Sequence, residues 1–363
     1  MKLLHFADLH LDAPFAWLEP EAARRRRQHR RDTLARILAL ADAEQVDAIL
    51  CAGDLFEHDR VQPDTVAFLQ ASFARSTRPI YLAPGNHDWY GPQSPYAVTH
   101  WSPNVHVFTD AQLVPVSLGD GVTLWGAAHR APANTDGFFG TVRATGEGIH
   151  LALAHASERS WLTAQESGKQ PHAPFDAAEI GSAGFAHAFL GHFHVPKDAD
   201  RHTYPGNPDP LEFGEAGDRG AVLATVSPDG SVLRDRRIVA VSQVHDVEVA
   251  LDGCEHADDV RERVAAVVGG LRGSVRVTLT GTVAPVVRID GADLSALGGH
   301  LDGLVIRRER ITVGYDLAAI ADEATVRGQF LRTALEIPDP DRRSRVILLG
   351  LRAFEDRADL EVA

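Results

Sequence analysis

The chain has 363 residues, 44% hydrophobic and 24% charged, with a formal charge of -14 from 50 acidic against 36 basic side chains. This length suits two domains, no apolar run approaches the roughly 20 residues of a helical membrane span, and the acidic balance excludes a surface that coats nucleic acid, so any DNA contact must be local. Cys51 and Cys254 match no zinc or redox spacing and suit a reducing cytoplasm, whereas 18 histidines are many for this length.

Residues 1–14 lack the basic flank and long apolar core of a secretory leader and read as a first strand with its following turn. Short apolar runs at 3–7, 48–52, 80–83, 151–154 and 186–190 are the clearest strands, and their continuous apolar character predicts burial on both faces. Between them, 31–43 and 65–75 carry apolar residues at helical spacing, and each is soon followed by the next strand. This alternation predicts an α/β fold whose sheets are covered by helices. From residue 244 the pattern changes to a strand at 246–251, a helix at 257–268, a strand at 275–280 and helical stretches at 317–335 and 342–359, with no motif chemistry. The expected organisation is therefore a domain at 1–243 that carries the chemistry and an accessory α+β domain at 244–363 that leans over the site as a cap.

The strand ends of the first domain carry its chemistry. Asp8 and His10 follow the first strand, Asp54 the second, Asn86 and His87 the third, His155 the fourth, and His192 and His194 the fifth. Sites in open α/β sheets form beyond the carboxyl ends of strands, so these residues should converge on one rim. Oxygen and imidazole ligands without thiolate favour Mn, Fe or Zn, and a carboxylate can bridge two cations. Two such ions can activate water near neutral pH and hold a phosphate oxygen, the chemistry of phosphoester hydrolysis.

Asp8-x-His10, Gly53-Asp54, Gly85-Asn86-His87-Asp88, His155 and Gly191-His192-x-His194 resemble, in order, the motifs of calcineurin-like metallophosphoesterases. The resemblance implies a sandwich of two mixed β-sheets flanked by helices. It implies one metal held by Asp8, His10, Asp54 and His194 and a second by Asp54, Asn86, His155 and His192, with Asp54 as the bridge. It makes His87 the group that stabilises the transition state or protonates the leaving oxygen, with Asp88 orienting its ring. Residues 5–15, 53–56, 204–208 and 213–215 are similar to SbcD-type DNA repair exonucleases and their YhaO-like relatives. That subfamily implies Mn-dependent DNA cleavage beside an SMC-like ATPase of the SbcC type, in a protein that often forms a homodimer. Glu57 stands where such nucleases commonly carry His or Asp, so exonuclease and endonuclease action both stay open.

Asp12, His58, His129 and His202 complete no ligand pattern and are expected in turns or at the surface. The basic run Arg24, Arg25, Arg26, Arg27, Arg30 and Arg31 reads as a solvated helix face before it reads as a grip on DNA. Trp89 and Tyr90 fit base stacking and ordinary packing equally well. Against the DNA nuclease stand a phosphodiesterase or phosphatase for nucleotides or other small phosphoesters, and a non-catalytic scaffold for an ATPase. Retention of His87 and of every ligand-type residue argues against the scaffold.

Overall fold

A computed structural model describes residues 1–133, 135–165 and 171–355. The chain divides into two compact units, Met1–Gln243 and Val244–Ala363.

The strands of the first unit are β1 (Lys2–Phe6), β2 (Ala48–Cys51), β3 (Ile80–Leu82), β4 (Val105–Val107), β5 (Val114–Gly119), β6 (Val122–Gly126), β7 (Ile149–His155), β8 (His187–Gly191), β9 (Lys197–Asp198), β10 (His202–Tyr204), β11 (Gly220–Val226) and β12 (Val232–Ile238). They form two six-stranded sheets, ordered β12-β11-β1-β2-β3-β4 and β5-β6-β7-β8-β10-β9. Both sheets are mixed: β1 to β4 run parallel with β11 antiparallel beside β1, and β6, β7, β8 and β10 run parallel between antiparallel β5 and β9. Alternate residues of β1 explain the continuous apolar run. Leu3 joins Leu50, Leu124, Leu151 and Phe189 between the sheets, while Leu4 and Phe6 pack outward with Leu34, Ile37, Leu69 and Phe73. Those last four belong to helices α1 (Pro20–Ala43) and α2 (Pro63–Arg75), which cover the first sheet. The helix Ala177–Ser182 covers the second sheet through Ile180, beside Ala152, Ala154 and Leu190. The architecture is α/β, two mixed sheets flanked by helices.

Helix α1 starts eleven residues before the expected position, at Pro20, where a missing backbone N–H costs nothing. The basic run therefore lies on a helix, and its members divide. Arg26 and Arg30 are fully buried, their guanidinium groups over the Phe15 ring at 5.2 and 5.5 Å, and they donate to the carbonyls of Pro210, Leu9 and Asp209. Neither is solvated. His129 and His202 are likewise buried rather than at the surface. Trp89 stacks on His58 with ring centroids 4.4 Å apart, and Tyr90 packs beside the first core and under Arg130.

The second unit is a three-stranded parallel sheet of β13 (Val244–Ala250), β14 (Ser274–Val283) and β15 (Gly303–Val313). Helix Ala257–Val268 buries Val260, Val264 and Val268 against Val249, Val275, Val277 and Leu279. Charged residues such as Arg276, paired with Asp246, occupy the other face. The helical stretch expected at 317–335 is two helices, Leu317–Asp322 and Val326–Leu335, because Thr325 caps the second by accepting from the Gly328 N–H. The last helix, Pro340–Phe354, begins after the N-cap Asp339, and the part expected beyond Glu355 lies outside the described residues.

Candidate metal centre

The carboxyl ends of β1, β2, β3, β7 and β8 meet along one rim, where backbone bonds lock the loops together: the Asp8 N–H donates to Gly53 O at 3.0 Å and the His10 N–H to Asp54 O at 2.9 Å. Asp8, His10, Asp54 and His192 all adopt positive φ, at 55°, 46°, 51° and 108°. Such backbone costs a non-glycine residue about 1–3 kcal/mol and clusters at functional sites. Glycine is required where the loops touch. A Cβ on Gly191 would lie 2.1 Å from Ala52 O, and Gly53 combines φ of +89° with a Cβ position 2.7 Å from Gly85 N.

Every sequence-predicted ligand residue, and His87, reaches this rim. The Asp8 carboxylate accepts from the His192 N–H at 3.0 Å. Asp54 Oδ1 accepts from the His87 N–H at 2.8 Å, while its Oδ2 lies 3.2 Å from His155 Nε2 and 3.7 Å from His10 Nε2. Asn86 Oδ1 and His192 Nδ1 approach the same His155 Nε2, at 3.0 and 3.2 Å. Carboxylate and imidazole atoms of Asp8, His10 and His194, of Asp8, Asp54 and His155, and of His10, Asp54 and His87 each gather within 4.8 Å.

Three histidines have one ring nitrogen fixed and the other left toward the rim. His155 Nδ1 donates to Ala52 O at 2.8 Å, His10 Nδ1 to Glu57 Oε1 at 2.7 Å, and His194 Nδ1 to Glu215 Oε1 at 2.6 Å. Partners of this kind fix the tautomer of metal-binding histidines. Among the described residues, His10 Nε2 is buried with no hydrogen-bond partner, although buried polar atoms are nearly always satisfied. Burial takes His10 down to about 4, so its ring is neutral and its bond to Glu57 is no ion pair. Around His155 Nε2 stand an amide oxygen, a carboxylate oxygen and a second imidazole nitrogen. Burial opposes a charge on His155, yet the Asp54 and Asp8 carboxylates outweigh it and hold the ring up at about 9. A proton there and a divalent cation answer the same demand for positive charge, so the donor set fits a bound metal.

Asp54 itself is held well below its ordinary value; burial works against this, and the His155 charge and hydrogen bond prevail. Asp8 is raised to about 6, chiefly by burial.

His87 is half exposed at the mouth, with Nδ1 2.9 Å from Glu57 Oε2. Burial lowers its affinity for a proton, but the Glu57 bond and the Asp54 charge raise it to about 9. Asp88 does not take the expected place against this ring. It is buried beneath the rim, accepting from the N–H groups of Asp54, Leu55 and Gly85 and from the Tyr96 hydroxyl at 2.6 Å, so it shapes the loops that carry Asp54 and Asn86. Glu57 orients His87 instead, and the two histidine bonds draw its carboxyl down to about 2 against the effect of burial.

Glu57 stands out in the sequence only as a departure from the nuclease pattern and Glu215 only as part of the stretch 213–215, and no spacing rule assigns them to His10 or His194. Glu215 also accepts from the Asn207 side chain and from the Leu211 N–H, each at 2.6 Å. His129, neutral because burial and His155 depress it to about 3, donates to the His155 carbonyl at 2.6 Å. The rim opens into a cleft of about 400 Å³ lined by His10, His87 and His194 and by the apolar cluster of Phe15, Trp17 and Leu211.

Residues 1–196 match the calcineurin-like phosphoesterase family. The uncharacterized metallophosphoesterase YhaO of Bacillus subtilis is 30% identical over 248 residues, which are 62% of this chain and 58% of that protein. The SbcD subunit of nuclease SbcCD, from the same organism, is 36% identical over 94 residues, 24% of this chain and 22% of its own. The DNA double-strand break repair protein Mre11 of Haloferax volcanii is 27% identical over 329 residues, 83% of this chain and 68% of its own. The chain thus spans less than two thirds of the length of the two Bacillus relatives. With more than half of its length matched, and with the ordered set of Asp, Asn and His residues gathered on one rim, the chain belongs to the calcineurin-like phosphoesterase family.

Proposed function

We propose that this phosphoesterase hydrolyses phosphodiester bonds of DNA, as an exonuclease or an endonuclease, with two divalent cations of which Mn is the first to test and Fe or Zn the next. The reading rests on the convergence of His10, Asp54, Asn86, His155, His192 and His194 around shared oxygen and nitrogen atoms, with His87 at the mouth. Asp8, His10, Asp54 and His194 would hold one cation, and Asp54, Asn86, His155 and His192 the other. Such a pair supplies Lewis acidity at a phosphate and makes water acidic enough to attack near neutral pH.

The chain's own residues do the rest. Glu57 fixes the His87 ring through Nδ1 and leaves Nε2 for the departing oxygen, as hydrogen-bond or proton donor. Asp88 and Tyr96 hold the loops that present Asp54 and Asn86. Phe15, Trp17 and Leu211 add an apolar lining to the cleft. DNA as substrate is supported by the relatives named as part of the SbcCD nuclease and as a double-strand break repair protein. That kinship extends the proposal to an ATPase of the SbcC type as partner, a homodimer with a second copy of the chain, a DNA repair role in the cytoplasm, and an accessory role for the unit from residue 244. Among the described residues no helix is long and apolar enough to cross a membrane.

The test is hydrolysis of end-labelled linear DNA with Mn²⁺, with Mg²⁺ and with chelator, alongside a His87→Ala variant. Mn-dependent cleavage lost in the variant supports the nuclease. Silence on DNA, combined with turnover of cyclic nucleotides or bis(4-nitrophenyl) phosphate, would move the substrate to small phosphoesters.

A further inference from the structure

Beside the metal cleft lies a second cavity of about 430 Å³, lined by Asp12, Arg24, Arg27, Gln28, Arg31 and Gln62 among others. The loop at 12–17 is the wall between the two: residues 13–17 line the metal cleft, Asp12 lines the second cavity, and Arg27 donates to Pro14 O across it at 3.3 Å. Arg24, Arg27, Gln28 and Arg31 recur at i, i+3, i+4 and i+7 of α1, so they share one face. The buried Arg26 and Arg30 clamp the helix from another side, which mounts this row on a fixed support.

Nearby acids offset only part of the charge. Asp64 pairs with Arg31 at 2.7 Å, and Asp12 accepts from the Gln62 N–H at 2.8 Å, a bond that cancels no charge, so two carboxylates face the four arginines of the lining, Arg24, Arg25, Arg27 and Arg31. Among the described residues, no carboxylate pairs with Arg24 or Arg27. A row of arginines around a concavity, in a chain of net charge -14 and one loop away from the candidate metals, has the chemistry of a phosphate track.

We propose that this groove holds the sugar-phosphate backbone of a DNA strand whose adjoining phosphodiester lies in the metal cleft. The inference rests on the proposed DNA phosphodiesterase reading and adds the path of the strand beside the cleft, because a small phosphoester in the cleft does not extend past the loop at 12–17. Arg24 and Arg27 act as electrostatic contacts to successive phosphates, and Gln28 and Gln62 add neutral hydrogen bonds.

The experiment uses the full chain and two double variants: Arg24→Gln with Arg27→Gln, and Arg24→Gln with Arg25→Gln, the latter keeping the Arg27 bond to the loop. Binding of a labelled single-stranded oligonucleotide is followed by fluorescence anisotropy, with chelator, from about 50 to 200 mM salt. Losing both the Arg24 and Arg27 contacts lowers the slope of log affinity against log salt by about 1.4, and losing the Arg24 contact alone, as in the pair with Arg25→Gln, by about 0.7. With Mn²⁺, the variants should show a raised KM for DNA and an unaltered kcat/KM for bis(4-nitrophenyl) phosphate. Wild-type binding with a full slope that the variants lose, without any DNA cleavage, leaves the groove standing and removes the nuclease reading. A slope that neither pair changes, or a wild-type chain that binds no DNA, overturns the groove.

Discussion

Replacing Glu57 by Gln separates orientation from metal binding more cleanly than any other change at this site. The carboxylate accepts two imidazole N–H groups, from His10 at 2.7 Å and from His87 at 2.9 Å, and its side chain is 20% exposed. An amide of the same shape accepts on one arm only and turns an NH₂ group toward the other ring. The His87 bond is the charged one, since that ring is held up at about 9 while burial keeps His10 neutral at about 4. A charge-assisted hydrogen bond is worth about 1.5–3 kcal/mol, which corresponds to a rate loss of about 10- to 100-fold if all of it serves to aim the ring. Steady-state hydrolysis of bis(4-nitrophenyl) phosphate with Mn²⁺, beside metal content measured on the same preparation, reads the two effects apart. The expected result is a fall in kcat at nearly constant KM, with metal retained when the amide oxygen stays on His10. Glu57→Asp, which keeps two acceptors on a shorter arm, should recover part of the loss. Wild-type turnover in Glu57→Gln with both metals bound would refute the reasoning.

The His87→Ala variant should keep both metals and lose about 100-fold or more in turnover, and metal loss on dialysis would show that His87 is a ligand. Asp54→Asn should lower the occupancy of both ions together, because Oδ2 lies near both His10 and His155; full dinuclear content by elemental analysis would contradict a bridge. Gly191→Ala drives a Cβ toward a backbone oxygen that cannot move aside, and overpacking of this kind costs about 1–3 kcal/mol or more, so the thermal midpoint should drop. His187 is depressed to about 3 and His202 to about 4, each first by burial. Both must fold uncharged, so their stability is whole above the unfolded value of about 6.5 and shrinks as pH falls toward those lower values, by up to about 1.4 kcal/mol per pH unit per ring. Urea midpoints compared at pH 7 and pH 5 check this, and His187→Gln should flatten the decline.

The rim was readable because its strands are buried on both faces. Such strands appear as mostly apolar runs, and the acidic or imidazole residue just past each run falls where the chain leaves the sheet, as at Asp8, Asp54 and His155. Residues outside that logic were not readable. Arg26 and Arg30 look like the rest of a basic run, and only the fold shows that Phe15 and three carbonyls enclose them. The carboxylates behind His10 and His194 come from loops 47 and 21 residues away, a separation that carries no periodic signal. Asp88 illustrates the opposite error: the family resemblance implies that it orients His87, but consecutive residues in a tight turn face different ways, and Asp88 turns to the N–H groups of Asp54, Leu55 and Gly85. Strand β15 went unnoticed because its centre, from Arg307 to Arg310, is charged where it borders the polar sheet face.

Asp8, His10, Asp54, Asn86 and His87 hang from one sheet, whereas His155, His192 and His194 hang from the other. Cation binding across that divide would be a chelate that clasps two separately hydrogen-bonded halves, and every increment of affinity would resist their parting. The clasp would also be late. A growing chain has Asp8 and His10 from the outset but lacks the last of these nitrogens until His194 has emerged, so the complete cation pair could form only once ligands from both sheets have been made.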